Sequence, residues 1–207
     1  MTRPWLIIPV KSLAGGKSRL APALSRARRR ELNEWLLRRM LAAAARYPGP
    51  ERTLLVSRSA AVLALGRSAG VHCLVERPPH GLNSAAGQAL RSVRARGAGA
   101  VMLAACDLPR LRALDLRQLA RRGAQLTRGL LLCPDEQRRG TNAIYLSAGV
   151  SLPFHFGRDS LQRHQTQARR RSLPVRLHRN HRIASDIDTV TQLRRWREER
   201  CRHVAAW

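Results

Sequence analysis

The chain has 207 residues, of which 44% are hydrophobic and 25% charged, and its formal net charge is +26. This length fits one domain spanning residues 1–207, and this apolar share supports a packed core rather than a disordered chain. No segment approaches the ~20 apolar residues of a membrane span, and the apolar run at 5–10 stops at Lys11, too early for a signal peptide, so a cytoplasmic protein is expected.

The elements read as strand and helix in alternation. Residues 5–10 form a short apolar run of strand type, followed by a Gly- and Ser-containing loop from 11 to 24. Ser25 is placed to N-cap a long helix whose inward stripe is Leu32, Trp35, Leu36, Met40 and Ala43, ended by Pro48-Gly49-Pro50. A strand at 53–56, a short helix at 60–69 and a strand at 71–76 follow. A helix then runs over 83–96, and a strand at 100–105, apolar on both faces, should lie centrally. Next come a helix at 113–122, strands at 129–133 and 142–146, a helix near 159–171, a strand at 175–178 and a last helix at 190–200. This order predicts an α/β protein of three layers with a mostly parallel sheet, whose ligands bind outside the carboxyl ends of the strands.

The charge alone suggests a polyanion partner, but its distribution argues against a dedicated nucleic-acid binder. Arginines occur in pairs and triplets along the whole chain, with no basic tail and no interleaved aromatics for stacking bases. Nonspecific nucleic-acid binding is the expectation. Only two of the 39 basic residues are lysines, Lys11 and Lys17, and both fall in the loop after the first strand. A chain that writes Arg elsewhere points, with these two, to sites that need a compact point charge.

Residues at the predicted strand ends carry the chemistry. The loop Lys11-Ser12-Leu13-Ala14-Gly15-Gly16-Lys17-Ser18-Arg19 offers glycines, cations and free N–H groups suited to phosphates, without the spacing of a P-loop or of GxGxxG. Asp107, fixed by Pro109 two residues later, is placed either to hold a divalent cation or to cap the next turn. Asp186 and Asp188 face the same way in an extended segment and either complete a metal site with Asp107 or, for Asp188, N-cap the last helix. Thr141 can present a hydroxyl to an anion, and Gly157 to Ser160 open a helix whose N-terminus suits phosphate. His164, one turn beyond Ser160, reads as a surface histidine. The cysteines 73, 106, 133 and 201 form no CxxC pair, and Cys106 reads as a small core filler.

Six segments in register resemble a known family: IPVKSLAGGKSRL at 8–20, GLNSA at 81–85, CDLP at 106–109, GTNA at 140–143, FGRDS at 156–160 and DIDT at 186–189. They are similar to the guanylyltransferases that activate 2-phospho-L-lactate, phosphoenolpyruvate or 3-phospho-D-glycerate in deazaflavin coenzyme (coenzyme F-420) biosynthesis. The resemblance implies a Rossmann-like nucleotidyltransferase fold with a mostly parallel mixed sheet, with GTP as substrate and Mg2+ as cofactor. It implies that Lys11, Gly15, Lys17, Ser18, Gly81, Leu82 and Asn83 bind the nucleotide and that Lys11, Lys17, Arg19 and Asp107 act in catalysis. Thr141, Gly157 and Ser160 would then bind the acceptor acid, and Asp107, Asp186 and Asp188 the metal. The competing readings are a nucleotidyltransferase using another nucleotide and acceptor, as in molybdopterin or sugar-nucleotide synthesis, and an Arg-rich nucleic-acid-binding α/β protein. A homodimeric assembly stays open.

Overall fold

The computed structural model describes residues 3–204. Seven strands make one sheet: β1 (Trp5–Pro9), β2 (Thr53–Ser57), β3 (His72–Val75), β4 (Val101–Ala104), β5 (Leu130–Pro134), β6 (Thr141–Leu146) and β7 (Val175–Leu177), in the spatial order β3-β2-β1-β4-β6-β5-β7. β1 pairs in parallel with β2 and β4, β2 with β3, and β5 with β7. β6 is antiparallel to both β4 and β5. The central place expected for the fourth strand is the place observed. β6 is buried along its whole length because strands flank it on both edges and layers cover both faces, so its polar residues are not a solvent face.

The helices are α1 (Arg26–Arg46), α2 (Ala60–Ser68), α3 (Leu82–Ala95), α4 (Ala113–Gly123), α5 (Ser160–Arg169), α6 (His181–Ala184) and α7 (Val190–Val204). The sheet separates two apolar clusters, which is the three-layer arrangement. One packs Leu6 and Ile8 of β1 against Leu37, Met40 and Leu41 of α1, Val62 of α2 and Leu116 and Leu119 of α4. The other packs Trp5 and Ile7 against Ala85, Ala86, Ala89, Leu90 and Val93 of α3 and Leu161 and Ala168 of α5. Strand alternation sends odd and even residues of β1 to opposite layers. Ser25 N-caps α1 as expected, its Oγ accepting from the Arg28 N–H at 3.3 Å. The buried stripe of α1 also includes Leu37, Leu41 and Ala44, whereas Leu32 and Trp35 are only partly buried and turn outward to α7.

A third, smaller cluster joins the two ends of the chain. Leu20 and Leu24, just after the Lys-containing loop, pack on Ile187 and Leu193, with Leu32, Val190 and Trp196 around them. The four-residue helix α6 was not expected from the sequence. Asn180 caps it with a side-chain oxygen that accepts from the N–H groups of Arg182 and Ile183. Arg182 and Asn180 in turn donate to the buried carboxylate of Asp115 on α4. None of the helices among the described residues is long and apolar enough to cross a membrane.

Candidate active site

The chain leaves β1 toward β2 and β3 on one side, and β4 opens the other half of the sheet. The carboxyl ends of β1 and β4 therefore diverge, which is where open α/β sheets form a ligand crevice. A cleft of about 1030 Å³ occupies that position, enough for a nucleotide and a small second substrate. Because β6 runs antiparallel, its amino end, with Thr141, opens on the same edge as the carboxyl ends of β1 and β4. The Ala105 N–H donates to the Asn142 carbonyl at 2.8 Å, which brings the start of β6 beside the segment leading to Asp107.

The loop after β1 is held on α1 by Asn33, whose side-chain N–H donates to the Leu13 carbonyl at 2.8 Å. The same amide would meet a Cβ at position 16 at 3.0 Å, so Gly16 allows the loop to lie against the helix. Lys17 then adopts a left-handed conformation, with φ 58° and ψ 43°, ahead of a single 3-10 turn at Ser18–Leu20. That backbone is unfavourable for a residue with a Cβ and is held here by the side chain's partners. The ammonium, largely buried, lies 3.1 Å from Asp107 Oδ2 and 3.0 Å from Asp188 Oδ1. Packing of Leu20 on Ile187 brings these groups together, and the Ile187 N–H donates to the Asp107 carbonyl at 3.3 Å.

Asp188 does not cap the last helix. Thr189 does so, in a reciprocal arrangement: the Gln192 N–H donates to Thr189 Oγ1, while Gln192 Oε1 accepts from the N–H groups of Asp188 and Thr189. The Gln192 amide also donates to Asp186 Oδ1 at 2.9 Å. All three carboxylates are thus free of capping duty, and an oxygen from each of Asp107, Asp186 and Asp188 lies within 4.8 Å of the others. Burial and the two neighbouring carboxylates push Asp186 up to about 7. Burial also raises Asp107, although Lys17 opposes it. Burial alone would lower Lys17, but the two carboxylates outweigh it and hold the ammonium protonated. An all-oxygen set with more negative charge than one ammonium neutralises is the donor chemistry that fits a hard divalent cation such as Mg2+.

The expected residues fall in two groups. Lys11, Lys17, Arg19, Gly81 and Leu82, which follow β1 and β3 in the chain, line the cleft together with Asp107, Asp186 and Asp188. Thr141, at the start of β6, and Gly157 and Ser160, at the start of α5, line the same cleft. Gly15, Ser18 and Asn83 are not on the cleft wall. The Asn83 amide instead clasps the Phe156 backbone, donating to its carbonyl at 3.2 Å and accepting from its N–H at 2.6 Å. This clasp ties the start of α3 to the loop carrying Gly157.

Residues not singled out in the sequence complete the walls. Glu76, buried at the end of β3, accepts from the Gly81 N–H at 2.6 Å and so sets the turn into α3, where Gly81 has φ +136°. Arg139 donates through Nε and Nη2 to Asp159 Oδ1, at 3.0 and 2.8 Å, joining the 135–140 turn to the start of α5. His164 is fully buried rather than on the surface, against the expectation. It shares the inner face of α5 with Leu161 and Ala168, at positions i, i+3 and i+7, the periodicity that marks a core face.

Similarity to known proteins agrees with this geometry. The family described as "Guanylyl transferase CofC like" matches residues 5–196. The phosphoenolpyruvate guanylyltransferase of Chloroflexus aggregans is 37% identical over 195 residues, covering 92% of this chain and 95% of that protein. The 3-phospho-D-glycerate guanylyltransferase of Phenylobacterium zucineum is 35% identical over 186 residues, covering 88% and 84%. A crystal structure from Desulfovibrio desulfuricans G20, described as a nucleotide-diphospho-sugar transferase, superposes with a TM-score of 0.76 at 17% identity, covering 93% of this chain and 85% of that one, a likeness of fold. With nearly its whole length matched, this chain belongs to the CofC-like family of guanylyltransferases, built on a Rossmann-like nucleotidyltransferase fold.

Proposed function

We propose that the protein transfers GMP from GTP to the phosphate of a small phosphorylated carboxylic acid, with phosphoenolpyruvate as the preferred acceptor. The supporting observation is one cleft lined by Lys11, Lys17 and Arg19, by Thr141, Gly157 and Ser160, and by three clustered carboxylates. The names of the relatives favour phosphoenolpyruvate, with 3-phospho-D-glycerate as the second candidate.

The reaction joins two anions. A phosphate oxygen of the acceptor attacks the α-phosphorus of GTP, a new P–O bond forms, and the bond to the β-phosphate oxygen breaks to release pyrophosphate. The acceptor is a phosphate monoester whose second pKa is about 6, so it is already a dianion near pH 7 and needs no general base. What the chain must supply is alignment and charge neutralisation. Lys11 and Arg19 serve the triphosphate, with Lys17 at the reacting centre. Thr141, Ser160 and the backbone at Gly157 hold the acceptor's phosphate and carboxylate. Asp107, Asp186 and Asp188 would hold Mg2+, which neutralises phosphate charge and polarises the phosphoryl group undergoing attack.

The test is a mass-resolved assay with Mg2+, each nucleoside triphosphate and each of phosphoenolpyruvate, 3-phospho-D-glycerate and 2-phospho-L-lactate. Pyrophosphate and a guanylylated acid are expected with GTP, at highest kcat/KM for phosphoenolpyruvate. No product with any of the three acids overturns the reading. Asp107→Ala should abolish turnover with an unchanged unfolding temperature, and retained pyrophosphate release would exclude Asp107 from the metal set.

A further inference from the structure

Thr141 and His164 form a buried pair whose hydrogen-bond direction can be deduced. Thr141 Oγ1 lies 3.2 Å from His164 Nδ1, and the His155 backbone N lies 3.0 Å from His164 Nε2. Both side chains are buried, and the ring is packed edge-on against Phe156 at a centroid distance of 5.0 Å. A backbone N–H can only donate, so Nε2 must present its lone pair. Burial, reinforced by His155 and opposed by the Ser160 backbone, lowers the His164 pKa to about 4, so the ring is neutral near pH 7. A neutral ring with Nε2 accepting carries its proton on Nδ1. Nδ1–H then points as a donor at Thr141 Oγ1, with the Ser160 carbonyl as a second acceptor, so the Thr141 oxygen can only accept from the ring. A hydroxyl that accepts in this way keeps its own proton for donation. Among the described residues it has no other hydrogen-bond partner, and Thr141 lines the cleft beside Gly157 and Ser160.

We propose that His164 is a positioning residue, which orients the Thr141 hydroxyl as a hydrogen-bond donor to an anionic oxygen of the phosphorylated acid. The inference rests on the reading of Thr141 as part of the acceptor site. It adds that the donor direction is set from behind, by a histidine that never touches substrate. Without that constraint the Thr141 hydroxyl could rotate and present a lone pair to the anion, which repels it.

The test uses the full chain with GTP and phosphoenolpyruvate. His164→Gln keeps an amide oxygen within reach of the His155 N–H but removes the Nδ1 donor, and Thr141→Val removes the hydroxyl. Each should raise the KM for phosphoenolpyruvate by about ten-fold or more, the scale of one hydrogen bond to a charged group. The KM for GTP should move less than two-fold, and the double variant should be no worse than Thr141→Val alone. Effects that multiply in the double variant, or an equal rise in the KM for GTP, overturn the proposal. Nitrogen-15 NMR of the wild-type histidines supplies a readout that needs neither variant nor turnover. His164 should show a protonated Nδ1 and a bare Nε2 near pH 7, and a protonated Nε2 or an imidazolium overturns the proposal. Failure of all three acids as substrates would instead strike the functional reading, leaving the tautomer result to stand by itself.

Discussion

Lys17 shows why lysine and arginine are different choices in an arginine-rich chain. Its ammonium fits between two carboxylate oxygens at 3.0 and 3.1 Å, from a backbone already turned into the left-handed region. A guanidinium is planar and wider, and it cannot occupy that point while keeping both contacts. Lys17→Arg is therefore expected to lower kcat/KM about ten-fold or more, each ten-fold step corresponding to about 1.36 kcal/mol of lost transition-state stabilisation. Steady-state kinetics beside a thermal melt checks this, and normal kinetics would remove Lys17 from the reacting centre. The rarity of lysine drew attention to positions 11 and 17 in the sequence. That Lys17 is the enclosed one and Lys11 lies exposed depends on Asp107 and Asp188, which are 90 and 171 residues away along the chain. His164 is the opposite lesson: its spacing from Leu161 and Ala168 placed it on the apolar stripe of α5, and the periodicity could have identified it as buried.

Between elements, the contact that assembles the three clustered carboxylates is apolar. Ile187, 1% exposed, separates Asp186 from Asp188 and packs on Leu20, three residues after Lys17. Shortening it to alanine leaves both carboxylates but removes the wedge that joins the two segments. Ile187→Ala should cost about 2–5 kcal/mol in a urea titration, the range for deleting a buried aliphatic side chain. It should also lower turnover of the folded protein, because Lys17 loses its fixed distance to Asp188. Full activity at unchanged Tm would show that the carboxylate segment is held by α7 alone. The capping of α7 was ambiguous in the sequence, since Asp188 and Thr189 are both good N-caps. Gln192 resolves it by pairing with Thr189, which leaves Asp188 for Lys17. Helix α6 escaped notice because four residues carry too little periodicity. It still matters to the cleft: its Ile183 and Ala184 carbonyls accept from the Asn142 side chain, at 3.0 and 3.1 Å, next to Thr141.

For the molecule as a whole, the net charge of +26 lies apart from the chemistry of the cleft. Arginines line solvent-facing stretches of α1, such as Arg26, Arg28 and Arg30, where a charged outer face is ordinary. Such a surface should bind duplex DNA without sequence preference and release it as salt rises. Fluorescence anisotropy on a random duplex should show affinity falling on the order of 10³-fold between about 50 and 200 mM salt, the loss for about six phosphate contacts. A marked preference for one sequence would assign these arginines a specific ligand. Alternation of strand and helix and the Ser25 cap of α1 were readable along the chain because each rests on near neighbours in sequence, and the central place of β4 was readable because a strand apolar on both faces needs cover on both. The reversed direction of β6 was not, because local pattern does not encode which edge a strand pairs with. That reversal carries Thr141 to the edge where β1 and β4 end, while the pairing of β1 with β4 and the packing of Leu20 on Ile187 join Lys17, Asp107 and Asp188 into one charged cluster.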